Sequence, residues 1–379
     1  MIMLLFALLA QDPPPVTFQK QILTERYLAD GITSGDLNRD GKPDIVSGPF
    51  WYEGPDFKTA HEFYPAVDFP LPPNPTDSMY SFVYDFNGDG WPDILRLGRV
   101  HLHQAFWFQN PQGKPGPWTK HFVFERVLGE SPSFAVVDGK PTLLCHWENR
   151  WGLLSPDPAD PTKPWIFKPV TDTGTFDQFY HGTGLGDVDG DGKPDLILNE
   201  GWWRQQDGRW EPHPFTFGDK GGAQMFAVDV NGDGKADVIT SLDAHGWGLA
   251  WFEQTKDGFR KHPIMGDRSE ESVYGVAFSQ PHALAIGDLD GDGVPDLIVG
   301  KRRWAHGPTG DIEPEAEPVL YWFRLVRTPE VTFVPYKIDG ASGVGVQLAV
   351  VDVTGDGVPD VLTVSKLGAF LFRTDRPKK

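Results

Sequence analysis

The residues with the clearest chemical spacing are aspartates, which recur in a nine-position pattern, D-x-[DNT]-x-D-G-x-x-D. Complete copies begin at Asp36, Asp85, Asp187, Asp229, Asp288 and Asp352. Side-chain oxygens at positions 1, 3, 5 and 9, with the backbone carbonyl at position 7, form the hard oxygen ligand set that Ca²⁺ prefers. The glycine at position 6 permits the sharp turn that this wrapping needs. Six copies in one chain therefore predict up to six Ca²⁺ sites.

Each loop supplies five predicted ligands, and the residue at position 7 contributes only its carbonyl oxygen. The predicted metal ligands are Asp36, Asn38, Asp40, Lys42, Asp44, Asp85, Asn87, Asp89, Trp91, Asp93, Asp187, Asp189, Asp191, Lys193, Asp195, Asp229, Asn231, Asp233, Lys235, Asp237, Asp288, Asp290, Asp292, Val294, Asp296, Asp352, Thr354, Asp356, Val358 and Asp360. A seventh copy is broken, because only Asp138, Gly139, Lys140 and Pro141 remain before Thr142. We expect no metal there.

The spacing of the loops predicts the architecture. Ninth positions, counted with Thr142 in the broken copy, lie 42 to 64 residues apart, and each is followed by a short β-type run such as Leu-Ile-Leu after Asp195. One four-stranded propeller blade needs about 40–50 residues. The sequence thus predicts an all-β fold, a seven-bladed β-propeller with four-stranded blades. One aromatic residue per blade, on the third strand, is expected to pack between blades.

The two ends of the chain are predicted to close the ring. The last repeat stops after its third strand, and residues 16–23 resemble residues 331–338, the outer strand of the preceding repeat. Placing the N-terminal strand in the last blade removes an exposed sheet edge. The domain assignment is a signal-peptide-like segment and proline-rich lead over residues 1–15, and the propeller over 16–379.

Strand order gives such a propeller two faces. The metal loops join first to second strands on one face, and the long insertions fall on the other. Seven of the 11 histidines belong to this second face, at strand starts or ends around the central channel: His101, His103, His146, His181, His245, His282 and His306. The remaining four lie on outer strands and are expected to be solvated: His61, His121, His213 and His262.

We therefore predict one histidine-rich funnel on the face opposite the calcium loops. Its candidate catalytic residues are His146, His181, His245, His282, His306, Lys301 and Tyr180. Imidazoles provide general acids and bases near neutral pH, or ligands for a second, softer metal such as Zn²⁺. The spacing does not choose between these two uses.

Composition limits the partners and the compartment. The formal net charge is −19, and most of it comes from the loop carboxylates. The sequence contains no stripe of basic residues, so it does not predict nucleic-acid binding. The apolar run from Met1 to Ala10 is too short to span a bilayer but resembles part of a signal peptide, which predicts a secreted or periplasmic protein. Cys145 is the only cysteine, so no intrachain disulfide can form.

The loops and their spacing resemble FG-GAP/VCBS repeats, best known from the integrin α-subunit propeller, over residues from about 16 to 379. Segments 181–187, 282–288, 301–307 and 342–347 resemble a secreted bacterial branch of that family. They are more distantly similar to the propeller of aldos-2-ulose dehydratases, which remove water from keto-sugars. The resemblance implies the calcium ligands position by position.

Two functions follow as expectations from this resemblance and from the funnel. The first is a carbon–oxygen lyase acting on sugars, by elimination of the keto-sugar dehydratase or polysaccharide lyase type. A funnel histidine or Tyr180 would remove the proton α to a carbonyl, and Lys301, Arg302 or a histidine-bound cation would stabilise the enolate. The alternative is a non-catalytic extracellular module that binds a glycan or a protein. The expected ligand is a carbohydrate or other small molecule, and a protein partner is the further option.

Overall fold

The protein is described here from a computed structural model that covers residues 15–70, 76–98, 104–218, 220–268, 272 and 274–376. Those residues form 28 β-strands and no helix, arranged as seven antiparallel four-stranded sheets. The predicted all-β, seven-bladed propeller is confirmed.

The strands follow one another blade by blade. Blade 1 contains β2 (Ile32–Gly35), β3 (Asp44–Ser47), β4 (Phe50–Tyr52) and β5 (Ala60–Glu62). Blade 2 contains β6 (Tyr80–Tyr84), β7 (Asp93–Leu97), β8 (Ala105–Gln109) and β9 (Thr119–Phe124). Blade 3 contains β10 (Leu128–Val137), β11 (Lys140–Trp147), β12 (Arg150–Ser155) and β13 (Ile166–Pro169). Blade 4 contains β14 (Thr183–Gly186), β15 (Asp195–Leu198), β16 (Gly201–Gln206) and β17 (Arg209–Pro214). Blade 5 contains β18 (Phe226–Val228), β19 (Asp237–Ser241), β20 (Leu249–Thr255) and β21 (Gly258–Met265). Blade 6 contains β22 (Pro281–Gly287), β23 (Asp296–Lys301), β24 (Leu320–Val326) and β25 (Thr332–Asp339). Blade 7 contains β26 (Ala349–Val351), β27 (Asp360–Ser365), β28 (Gly368–Asp375) and β1 (Thr17–Thr24).

The second strand of each blade forms the centre of the core. Strand β15, with the sequence Asp-Leu-Ile-Leu, is buried at every residue, and β19, β23 and β27 are buried throughout as well. Because neighbouring blades cover both faces of such a strand, its sequence is a continuous apolar run rather than an alternation of apolar and polar residues. Each fully buried Leu, Ile or Val contributes about 1.5–3 kcal/mol to folding.

The N-terminal strand closes the ring as predicted. Strand β1 pairs antiparallel with β28, in a register that runs from Thr17↔Asp375 to Thr24↔Ala369 with one irregularity near its end. Val16, just before this strand, is buried against the core shared by blades 6 and 7.

The third-strand aromatics pack between blades, as expected, and they also explain the outer-strand histidines. Trp107 and Trp322 are fully buried. The four histidines expected to be solvated are instead half-buried, because each lies directly opposite a tryptophan and stacks on it at 4.0–4.3 Å between ring centroids. The stacked pairs are Trp51–His61, Trp107–His121, Trp202–His213 and Trp251–His262.

Two further sequence predictions concern the chain ends and the membrane. Residues 1–14, which hold the signal-peptide-like run, lie outside the described residues. The described part of the chain contains no helix with the length and apolar character needed to cross a membrane.

Candidate functional site

The six complete loops share one backbone geometry. The glycine at position 6 has a φ between +82° and +85° in every loop. Its N–H donates to the position-1 carboxylate at 2.8–3.0 Å in all six, as Gly192 does to Asp187. A Cβ on Gly192 would meet no atom within 4 Å, so the backbone conformation rather than space requires glycine here.

The aspartate at position 9 ties each loop to the third strand of its blade. In the fourth blade, Asp195 accepts the N–H of Val188 at 2.9 Å and that of Gln205 at 2.8 Å, and equivalent bonds recur in the other five loops. Burial raises the pKa of Asp195 to about 6 and that of Asp93 and Asp296 to about 7. A nearby cation would stabilise such desolvated carboxylates in their charged form.

The donor atoms in these loops fit a hard cation. Ligand oxygens of Asp187, Asp189 and Asp195 lie within 4.8 Å of one another, as do those of the corresponding aspartates at 288, 290 and 296. In these two loops position 3 is Asp rather than Asn or Thr, and the extra carboxylate is paired with an arginine of the third strand, Arg204 or Arg324. The extra negative charge is therefore balanced within the blade.

In the broken copy, a two-residue turn replaces the loop. Asp138 and Gly139 both have positive φ, 50° and 73°, and connect β10 directly to β11. This is the turn geometry that tight hairpins favour. The Asp138 carboxylate accepts the Gln205 side-chain amide at 3.2 Å.

Three of the predicted funnel histidines meet at the end of the channel together with a carboxylate that the sequence analysis did not select. We call Glu130, His181, His245 and His282 the mouth cluster. The His181 Nε2 atom lies 3.1 Å from His245 Nε2 and 3.3 Å from His282 Nε2. Glu130 Oε2 lies 3.2, 3.8 and 3.4 Å from the Nε2 atoms of His181, His245 and His282. Four blades thus contribute one ligand-type atom each.

Strand register explains why these residues meet. His181 lies five residues before Gly186, which pairs with the position-9 residue Asp195, and Glu130 lies five residues before Ala135, which pairs with Thr142. The residues at this position, from blade 1 to blade 7, are Asp30, Met79, Glu130, His181, Ala223, His282 and Val346. His245 comes instead from the loop that follows β19.

Arg302, directly after β23, completes the charge distribution around the mouth cluster. Its Nη1 atom donates to His282 Nε2 at 2.7 Å and lies 3.6 Å from Glu130 Oε2. Burial, followed by the charge of Arg302, holds the pKa of His282 well below its usual value. Burial alone would raise the pKa of Glu130, but hydrogen bonds from the three histidines outweigh it and keep this pKa well below its usual range.

A second buried carboxylate lies at the same register position in blade 1. Asp30 accepts the Tyr27 hydroxyl at 2.8 Å and the Thr76 hydroxyl at 3.0 Å, and Lys366 Nζ lies 3.8 Å from its other oxygen. Lys366 follows Asp360 by six residues, as Arg302 follows Asp296. Glu130 and Asp30 therefore each lie near a cation from the end of a second strand.

His306 lies at the rim of the mouth cluster, outside its four members, and is exposed. Its side chain is 59% exposed, and its ring centroid lies 4.7 Å from that of His245. The Nδ1 atom lies 3.2 Å from the buried carboxylate of Asp311, which also accepts the His306 backbone N–H at 2.9 Å. This pairing orients the ring and leaves Nε2 directed away from the carboxylate.

Three other predicted funnel residues are placed apart from the mouth cluster. His146 is buried between Trp151 and Phe176, and burial lowers its pKa to about 4. The Tyr180 hydroxyl bonds to the Glu200 carboxylate and accepts the N–H of Asn199. The Lys301 ammonium donates to the Ser279 hydroxyl at 2.5 Å and to the Ile312 carbonyl at 3.2 Å. Lys301 thus anchors the insertion that carries His306. His101 and His103 lie outside the described residues.

A cavity of about 440 Å³ lies in the central channel below the mouth cluster. Its wall includes Pro132 and Ser133, which lie two and three residues after Glu130, together with Gln224 and Gln347. The two glutamines accept backbone N–H groups from the inner strands of other blades, Gln224 from Leu284 and Gln347 from Ser81. The cavity has the size of a small-molecule site.

Comparisons with known proteins support the repeat assignment. The FG-GAP-like repeat family matches residues 187–240 and 229–299, so this part of the chain contains FG-GAP-like repeats, as predicted. No curated protein matches the chain in sequence. The chain is accordingly a seven-bladed β-propeller with FG-GAP-like repeats.

The BBS1N structures share this fold at low sequence identity. The crystal structure of BBS1N in complex with ARL6DN, soaked with lead, is 10% identical, with a TM-score of 0.56 over 96% of this chain and 98% of that chain. The crystal soaked with mercury gives a TM-score of 0.54 at the same identity, over 96% and 97%. Rhamnogalacturonan lyase YesW is 14% identical, with a TM-score of 0.48 over 96% of this chain and 74% of that chain.

Proposed function

We propose that this chain is an exported, calcium-stabilised propeller whose channel mouth acts on a carbohydrate by elimination. The observation that carries the proposal is the convergence of three imidazoles, a carboxylate and Arg302 from four blades at one end of the channel. Perturbed titratable groups gathered in a concave site are typical of catalytic centres. The carbohydrate class rests on the sequence resemblance to keto-sugar dehydratases.

His306 is the best placed general base. The contact between its Nδ1 and Asp311 fixes the ring, and Nε2 remains available to take a proton from the carbon next to a carbonyl. The C–O bond at the β carbon then breaks, the leaving oxygen takes up a proton, and a conjugated unsaturated sugar is formed. Arg302 is the cation nearest to the mouth cluster, and its buried Nε atom has no hydrogen-bond partner within the described residues. It is suited to stabilise the negative charge of the enolate.

Calcium has a structural role in this proposal. Six loops of identical backbone geometry hold the turns between first and second strands, and a cation in each would compensate the buried position-9 aspartate. The loops lie on the face opposite the mouth cluster. Calcium therefore stabilises the blades that position the site without touching the ligand.

The proposal is tested by incubating Ca²⁺-loaded protein with keto-sugars and uronate-containing polysaccharides and following ultraviolet absorption of the unsaturated product. Loss of a general base lowers the rate about 10²–10⁴-fold, and we expect this for His306→Ala. The matched control is the outer-strand variant His262→Ala, after its melting curve has established that it folds. Ligand binding without turnover would support the non-catalytic module instead, and equal turnover by His306→Ala and wild type would exclude the assigned base.

A further inference from the structure

We infer that the mouth cluster is a binding site for one transition-metal ion, with three imidazole ligands and one carboxylate ligand. Zn²⁺ is the probe that its donor set fits best. This site is distinct from the calcium loops in its donors, in its face of the propeller and in its number of copies. The inference does not depend on the elimination chemistry proposed above.

The distances within the mouth cluster match a metal coordination shell. Bonds of about 2.0–2.1 Å in a tetrahedral zinc site place neighbouring ligand atoms ~3.3 Å apart. The His181 Nε2 atom lies 3.1 and 3.3 Å from the other two Nε2 atoms, and the separations from Glu130 Oε2 range from 3.2 to 3.8 Å. All four atoms lie within 4.8 Å of one another, which is close enough for one ion to contact all of them.

Hydrogen bonds alone do not account for all the short contacts within the mouth cluster. A neutral imidazole Nε2 carries either one proton or one lone pair. His181 Nε2 approaches the corresponding atoms of His245 and His282 and also Glu130 Oε2, all within 3.3 Å, yet it can form one in-line hydrogen bond. A cation at the centre accepts all four lone pairs at once.

The burial of the mouth cluster also suits a metal. The His282 side chain is fully buried, but that of His245 is 28% exposed and gives an ion a path from solvent. Imidazole-rich sites select Zn²⁺ and its neighbours, whereas Ca²⁺ takes oxygen ligands.

Arg302 competes with a metal ion, because its N–H group binds the His282 Nε2 lone pair that the ion would use. Its Nη1 donates to His282 Nε2 at 2.7 Å, so an ion must displace this hydrogen bond. Replacing Arg302 by methionine removes both the competing donor and a positive charge next to the site. We therefore expect Arg302→Met to bind Zn²⁺ at least tenfold more tightly than wild type.

The test is calorimetric titration of chelator-treated, full-length protein with Zn²⁺ in excess Ca²⁺, which keeps the loops saturated. Binding of Co²⁺ is followed in parallel by its visible absorption, which reports the coordination number. We expect one Zn²⁺ per chain, no measurable binding in His181→Ala, and an affinity reduced by about 100-fold or more in Glu130→Gln. The matched control is His262→Ala, because His262 pairs with Glu253 at 2.8 Å but has no further ligand group nearby within the described residues.

Thermal melting in Ca²⁺ shows whether each variant is folded, and the isosteric Glu130→Gln variant keeps the test informative if His181→Ala does not fold. Absence of Zn²⁺ binding by wild type in excess Ca²⁺ would overturn the inference, as would unchanged affinity in folded Glu130→Gln. Zn²⁺ binding is measured without sugar, so a negative result here leaves the elimination proposal standing. A negative product screen likewise leaves the metal site standing.

Discussion

The N-terminal strand should contribute a large part of the free energy of unfolding of the whole ring. Removing residues 1–24 deletes β1 and leaves β28 as an unpaired edge, whereas removing residues 1–14 leaves every described contact in place. We expect the first truncation to lower the melting temperature strongly or to prevent folding. The second should melt like the complete chain.

The size of the effect follows from the contacts of β1. Seven residue pairs join β1 to β28, and a ladder of this length contributes on the order of 5 kcal/mol at about 1 kcal/mol per hydrogen bond. Burial of Val16 adds about 1.5–3 kcal/mol. The partly exposed ion pair between Lys20 and Asp339 adds about 1 kcal/mol or less. The sum, roughly 8 kcal/mol, is comparable to the 5–15 kcal/mol that stabilise a typical domain.

Thermal and urea unfolding of the two truncations, both in Ca²⁺, measure this difference. A cross-link gives an independent check, because Gln19 lies opposite Arg373 in the observed register. Gln19→Cys with Arg373→Cys should form a disulfide and raise the melting temperature, whereas Gln19→Cys with Leu371→Cys should not. Equal melting of both truncations, with no preference between the cysteine pairs, would refute N-terminal closure.

Three further predictions concern the loops and the core. Chelation of Ca²⁺ should lower the melting temperature, since an ion at 100 times its dissociation constant stabilises the folded state by about 2.7 kcal/mol per site. Asp229→Ala should remove one Ca²⁺ site only. An unchanged melting curve after verified removal of Ca²⁺ would contradict a structural role for the ion. Gly192→Ala should lower the free energy of unfolding in urea by about 1–2 kcal/mol because φ at this position is +83°. Gly192→Asn should lower it less, since asparagine tolerates positive φ better than alanine does. Equal losses for the two variants would show that backbone conformation is not what requires glycine here. The folded pKa of His146, about 4, lies below the unfolded value of about 6.5, so the unfolded state alone takes up this proton as the pH falls. Stability should therefore decrease by about 3 kcal/mol between pH 6.5 and 4, and His146→Leu should lack this component; parallel pH profiles for the two proteins would argue against a neutral buried imidazole.

The fold could be predicted from the sequence because the loop pattern marks one fixed point in each blade. Position 9 begins a second strand, so its recurrence defines both the strand order and the two faces. The missed residue, Glu130, shows the limit of that method. Blade 3 has no position-1 aspartate from which to count, and only the pairing of Ala135 with Thr142 places Glu130 level with His181. Strand register is the signal that could have found it.

Two other differences arise from details that spacing does not specify. Lys301 and Arg302 are neighbours at the end of β23, and successive residues of a strand point in opposite directions, so one reaches Ser279 and the other His282. The outer-strand histidines were expected to be solvated because they fall on the outermost strands of their blades. Their contact with a tryptophan depends on cross-strand pairing, as in Trp251↔His262.

The central claim is that function resides at the channel mouth, in the mouth cluster together with His306 and Arg302, on the face opposite the calcium loops. Turnover of the sugar panel by wild type and by His181→Ala, each in Ca²⁺ and each with its melting temperature recorded, tests this claim most directly. We predict that His181→Ala loses activity while its melting temperature stays within a few degrees of wild type, because a residue of the channel mouth contributes little to packing between blades. Full activity in the folded variant would contradict the claim, and so would a loss of activity explained entirely by loss of the fold.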